Sequence, residues 1–175
     1  MTEVKKLYGG AICAYIPANA VDISKLRQVP DNQEVFAHKS SDQSIIFDIL
    51  EYVEEPDEEA CKAHFIELVG DPAAKIKSVK KLDLSLINCD SVYYLNGEHF
   101  MSKYKETAKN LIDLHFAVFR FKNFKTDILV TFNDPLIINP ESSSAEGSNH
   151  SDKWTIEQFM KTIQTFSVTD FNLFG

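Results

Sequence analysis

Two apolar runs late in the chain set the tightest limit on its fold. Residues 111–121 (LIDLHFAVFRF) and 127–132 (DILVTF) are rich in branched and aromatic side chains, which suit a pleated, buried surface. In the second run Ile128, Val130 and Phe132 alternate with Leu129, Thr131 and Asn133, and both sets are fairly apolar. A strand with two apolar faces belongs at the centre of a sheet, with helices covering a face. The rest of the chain has to supply the flanking strands and the covering layers.

Those layers can be placed in order. Residues 7–17 (LYGGAICAYIP) break at Gly9-Gly10, after which Ile12, Ala14 and Ile16 share one face, so two short strands or one bent strand are expected. Asp22 can cap a helical turn over 22–27, and Pro30-Asp31-Asn32 has turn chemistry. Residues 34–38 read as a further strand. Asp42 or Ser44 can cap a helix reaching Glu54, with a stripe of Ile45, Ile46, Ile49, Leu50 and Val53. A second helix follows: Pro56 sits in its first turn with Asp57, Glu58 and Glu59, Ala60, Cys61, His64, Phe65 and Leu68 form its apolar side, and Gly70-Asp71-Pro72 stops it. Strand patterning resumes at Lys75, and Asn96-Gly97 within residues 92–100 predicts a type I′ hairpin turn. Residues 139–153 (NPESSSAEGSNHSDK) read as a flexible loop. A final helix starts at Thr155, whose spacing to Gln158 is that of a capping box, with Trp154 and Phe159 placed as a hydrophobic staple. This order predicts an α+β fold: a mostly antiparallel sheet with helices packed against it, in one domain spanning 1–175.

With 44% hydrophobic residues over 175 positions, the chain can bury a core without a metal or disulfide staple. Its net charge of −8 disfavours nucleic acid and anionic lipid and favours a basic partner. Cys13, Cys61 and Cys89 are scattered, which suits reduced thiols, most simply as small buried hydrophobes. No apolar run reaches the roughly 20 residues of a membrane span, and the N-terminus lacks a signal-peptide pattern, so no membrane insertion is expected.

Catalytic and metal motifs are missing from the sequence: no nucleophile elbow, phosphate-cradling loop, zincin motif or paired-cysteine zinc site occurs. No cofactor, metal or catalytic residue is therefore assigned. His38, His64, His99, His115 and His150 are dispersed without a local carboxylate or thiol partner, and each is expected to be structural or surface. The acidic run Glu54-Glu55-Pro56-Asp57-Glu58-Glu59 is accounted for by a helix start.

Residues 26–36 (LRQVPDNQEVF) are different. They gather Arg27, Gln28, Asp31, Asn32, Gln33 and Glu34 around a proline turn between ordered elements. Polar groups on a turn fixed at both ends are pre-positioned for a partner. The competing reading has Asp31 bonding its own backbone and Arg27 pairing with Glu34. The residues alone lean slightly to that reading and leave both open.

The same residues resemble the Ran guanine nucleotide release factors, also called Mog proteins. The resemblance starts at residues 7–11 (LYGGA), is strongest over 21–36 (VDISKLRQVPDNQEVF), and continues through 42–45, 126–133 (TDILVTFN) and 170–175 (DFNLFG); residues 54–110 match weakly. It implies an α/β/α sandwich around a central antiparallel sheet of about six strands flanked by helices. It also implies a non-catalytic regulator that binds the GTPase Ran and promotes release of its guanine nucleotide, in support of nuclear transport. The acidic positions of the family's V-P-D-x-Q-E motif fall on Asp31 and Glu34, which the resemblance marks as Ran-binding, with Arg27 and Gln33 as neighbours. A monomer found in nucleus and cytoplasm is the matching expectation. Two rivals remain: a small hydrolase or transferase using Asp31 and Glu34 with a histidine, and a scaffold for another partner.

Overall fold

The computed structural model describes residues 3–101, 110–137 and 152–175. In chain order the elements are β1 (Lys5–Leu7), β2 (Ile12–Ala14), β3 (Ala20–Asp22), β4 (Gln33–His38), β5 (Ser44–Glu51), α1 (Asp57–Val69), β6 (Lys75–Leu82), β7 (Ser91–Met101), β8 (Asn110–Phe121), β9 (Thr126–Ile137), α2 (Ile156–Thr165) and β10 (Ser167–Val168). The main sheet has seven strands in the order β3-β4-β5-β9-β8-β7-β6, and its pairings are antiparallel. After β5 the chain passes through α1 to the far edge at β6, then meanders back so that β9 lies beside β5. A separate three-stranded sheet, β1-β2-β10, joins the two ends of the described chain. Six strands in a simple sandwich is thus corrected to seven plus three.

Each face of the main sheet carries its own core. On one, Phe36, Ile45, Phe47, Phe119, Val130 and Phe132 meet Ile12 and Ala14 of β2, Ile16 just after it, Trp154 just before α2, and Phe159 and Ile163 of α2. On the other, Cys61 and Phe65 of α1 cover Leu95, Leu114, Phe116, Val118 and Leu129. The doubly apolar runs that dominate the sequence form β8 and β9, at the sheet centre.

Local signals explain the helix ends. Thr155 accepts from the Gln158 N–H at 3.2 Å while Gln158 Oε1 accepts from the Thr155 N–H at 2.9 Å, and the flanking Trp154 and Phe159 are buried. Pro56 occupies the N-cap position of α1, one residue before the first turn, and Gly70 closes the helix at φ 58°. Leu68, expected on its apolar side, is instead 39% exposed.

Two expectations fail for physical reasons. The helix predicted over 42–54 is strand β5. Its apolar stripe contains both parities, because Ile45, Phe47 and Ile49 face one core while Ile46 and Leu50 face the other side. A strand buried on both faces loses the alternation that distinguishes it from a helix, and here it is held on both flanks by β4 and β9. The Asn96-Gly97 turn is also absent: β7 runs straight through it, with Asn96 opposite His115 and Gly97 opposite Leu114. Glycine is needed there for close approach. An added Cβ would lie 2.7 Å from Phe65 Cε2 and 2.8 Å from the Lys75 carbonyl oxygen. The loop expected at 139–153 lies outside the described residues except for Asp152 and Lys153.

Candidate functional site

Residues 23–32 connect β3 to β4 and are held at both ends. Asp22 Oδ1 accepts from the Ser24 N–H at 3.0 Å and the Ser24 hydroxyl at 2.7 Å, and the Leu26 and Arg27 N–H groups both donate to the Ile23 carbonyl. At the other end the Gln33 N–H closes a turn onto the Pro30 carbonyl at 2.9 Å. Asn32 is stapled to β5: its carbonyl accepts from the Ile49 N–H at 2.9 Å, and its side-chain amide donates to the Ile49 carbonyl at 3.2 Å. The Tyr8 hydroxyl adds bonds to the Asn32 and Phe47 carbonyls. Such a loop presents its side chains on a fixed backbone.

Of the four predicted site residues, Arg27 and Asp31 lie on this loop while Gln33 and Glu34 begin β4, and they have unequal freedom. Asp31 is exposed and makes no side-chain hydrogen bond or ion pair among the described residues. Arg27 is likewise exposed, and the surface pair of Arg27 with Glu34 does not form. Glu34 is half-buried, and its Oε1 accepts from the Tyr8 N–H at 2.8 Å. That bond steadies an unusual bend in which Tyr8, Gly9 and Gly10 all have positive φ, from 50° to 98°. The Gln33 side chain donates to Asp48 Oδ1 at 2.6 Å. Asp48 is buried, and burial raises its carboxyl above the ordinary aspartate value, with the Gln33 bond pulling the other way. Burial, reinforced by the charges of Asp48 and Glu34, keeps the Tyr8 phenol strongly protonated.

The fold brings His64 and His38 to carboxylates distant in sequence, and the expectation of no local carboxylate is corrected for His115, whose partner Asp113 lies two residues before it. His64 meets Asp127 at 2.8 Å, His115 meets Asp113 at 2.9 Å and hydrogen-bonds Tyr94, and His38 lies 3.8 Å from Asp152. Among the described residues no histidine hydrogen-bonds to Asp31 or Glu34. Clefts of about 230 Å³ and 510 Å³ surround residues 81–92, and neither is lined by Asp31, Glu34 or a histidine. No cluster of metal ligands occurs among the described residues, nor is any helix there long and apolar enough to cross a membrane. Cys61 is buried and Cys13 and Cys89 half-buried; burial raises the Cys61 thiol to about 12 and Cys89 to about 11.

The site geometry therefore offers a loop bonded at both ends that carries one unengaged carboxylate, Asp31, with a tethered carboxylate, Glu34, beside it at the start of β4. A family model described as Ran-interacting Mog1 protein matches residues 5–135, which include this whole loop. The chain belongs to the Ran-interacting Mog1 family. Relatives in the Mog1 family include a Ran guanine nucleotide release factor of Danio rerio, 41% identical over 98% of this chain and 99% of its own length. The Homo sapiens protein of the same name is 34% identical over 97% of this chain and 95% of its own. The nuclear import protein mog1 of Schizosaccharomyces pombe is 31% identical over 91% of each. The solved structure of the Saccharomyces cerevisiae Ran-binding protein Mog1p superposes with a TM-score of 0.73 at 22% identity, covering 100% of both chains, which shows the shared Mog1 fold.

Tyr8, which with Asn32 ties the Mog1 loop to the sheet, was not singled out by sequence, and Asn32 was grouped with the polar side chains of the turn and not read as an anchor. The Tyr8-Gly9-Gly10 stretch was the available signal, since two glycines mark a backbone bend that something must hold.

Proposed function

We propose that this Mog1-family chain binds Ran and promotes release of its guanine nucleotide, supporting nucleocytoplasmic transport, as a one-domain monomer without a catalytic residue. The names of its relatives favour this reading, and one observation carries it at the residue level. Asp31 is a charged side chain on a stapled loop with no partner among the described residues, so its full electrostatic interaction is open to a basic group on Ran. Glu34 contributes a second carboxylate whose Oε1 is engaged by Tyr8. Arg27 and Gln33 flank them.

Release follows from linkage. A protein that binds nucleotide-free Ran more tightly than loaded Ran lowers nucleotide affinity by the same factor. Ran holds its nucleotide through backbone amides, a lysine and Mg²⁺-linked loops, so favouring a loop arrangement that grips poorly is enough. At 19.9 kDa the chain is small enough to occupy nucleus and cytoplasm alike.

The test is the rate at which labelled GTP leaves purified Ran as this protein is added. A rate that climbs with concentration supports the proposal. A flat rate refutes the release activity.

A further inference from the structure

Leu26 stands out on the loop. Its neighbours Ser24, Lys25, Arg27 and Gln28 are exposed and polar, whereas Leu26 is a large apolar side chain left 73% exposed. Single exposed leucines are common on protein surfaces, and exposure alone means little. Here the backbone is fixed as well: Asp22 caps the turn, and the N–H groups of Leu26 and Arg27 both bond to the Ile23 carbonyl. The turn cannot easily fold back to hide the side chain.

Some other exposed apolar groups have local explanations, while Ile66, 68% exposed on α1, has none and lies outside the connection that carries Asp31. Ile87, 78% exposed, belongs to the rim of the cleft formed with Leu84, Leu86 and Val168. Phe100, Met101 and Leu136 adjoin stretches of chain outside the described residues. Leu26 has neither context. It shares its connection with Asp31, and the exposed Pro30 lies between them in sequence.

We infer that Leu26 is the apolar anchor of the Ran contact, filling a recess on Ran bordered by the basic groups that Asp31 meets. The inference rests on the proposed Ran-binding function and adds its apolar half. Partner-binding surfaces commonly combine a desolvated anchor with a charged rim, in which the charge orients the encounter and the anchor slows dissociation. A leucine that is already on a fixed backbone loses little further freedom when it is covered.

The experiment titrates Ran, by calorimetry, with the full-length wild type and with Leu26→Ala, Leu26→Met, Asp31→Ala and Ile87→Ala, and takes a thermal melt of each. Removing the buried leucine carbons should weaken binding roughly ten- to fiftyfold. Leu26→Met should stay within a few-fold of wild type, and Ile87→Ala should match it. Leu26→Ala should melt at the wild-type temperature. If wild type binds Ran and Asp31→Ala weakens it while Leu26→Ala binds normally, the anchor is overturned and the Ran-binding reading stands. A lowered melting temperature for Leu26→Ala also overturns the anchor, because it marks a packing residue. If wild type itself fails to bind Ran, the Ran-binding reading and the anchor fall together.

Discussion

Asp31 and Asp127 are the same residue type in opposite circumstances. Asp127 is fully buried at the start of β9 and fully employed: it accepts from Arg120 Nε at 3.1 Å, from the Val53 N–H at 3.1 Å and from His64 at 2.8 Å. Arg120, itself 1% exposed, also donates to Asp57 at 2.8 Å, to the Glu55 carbonyl at 3.0 Å and to the Val53 carbonyl, with its guanidinium over the Tyr52 ring. Burial alone would lower the arginine pKa, but Asp127 and its other partners raise it overall. This cluster fixes the start of α1 to the sheet. Asp31 contacts nothing among the described residues that would use its charge. In one molecule, then, one charge is satisfied and builds structure, while the other is left unsatisfied among the described residues. Glu34 lies between, with one oxygen holding Tyr8 in place.

That contrast can be broken most forcefully at Asp127. Asp127→Ala leaves Arg120 buried without its main carboxylate and should cost about 3–5 kcal/mol of unfolding free energy in a urea titration. Ran affinity per folded molecule should barely change. A loss of under 1 kcal/mol would show that the cluster is not structural.

Glu34 gives a sharper and smaller test. Glu34→Ala strips the acceptor from the Tyr8 N–H and should cost about 1–3 kcal/mol, whereas Glu34→Gln keeps an acceptor and should recover much of that stability. Stability equal to wild type in Glu34→Ala would mean that the tether holds nothing. Because Glu34→Ala changes both charge and packing, a weakened Ran interaction in that variant cannot be read as charge alone, and Glu34→Gln is the cleaner probe.

Asp48 should produce the smallest effect, visible in its pH dependence. Its folded carboxyl titrates above the unfolded one, so the folded state holds the proton more tightly. Its contribution is present below the ordinary aspartate range and is lost as pH rises through the raised folded value. Asp48→Asn should therefore remove that decline and leave neutral-pH stability equal to wild type or about 1 kcal/mol higher. The readout is the melting temperature from acid to neutral pH. An undiminished loss of stability with rising pH in Asp48→Asn would contradict the assignment.

Much of this was legible in the residues. The capping box at Thr155 and Gln158, the glycine stop at Gly70 and the doubly apolar run of β9 are local signals, and each has its predicted role. The strand β5 was unreadable by periodicity, since the buried Ile45 and the half-buried Ile46 lie on opposite faces and mimic a helical stripe. Asn96-Gly97 misled for another reason: the glycine answers to Phe65 of α1, far away in sequence, which no local turn rule registers. At the site, the sequence grouped Asp31 and Glu34 around one turn, which the structure divides between the loop and the start of β4. It could not separate the free carboxylate from the tethered one, because the tether comes from Tyr8. The Arg120 network was similarly hidden, although a charged residue inside an apolar strand was a cue.

The most direct trial is calorimetry of Ran with Asp31→Ala against wild type, with unfolding followed in parallel. Losing a charge-paired interface carboxylate should cost ~2–5 kcal/mol of binding, tens- to thousands-fold in affinity, at unchanged melting temperature. Equal affinity for the two proteins would contradict the assignment of this loop as the Ran-binding surface.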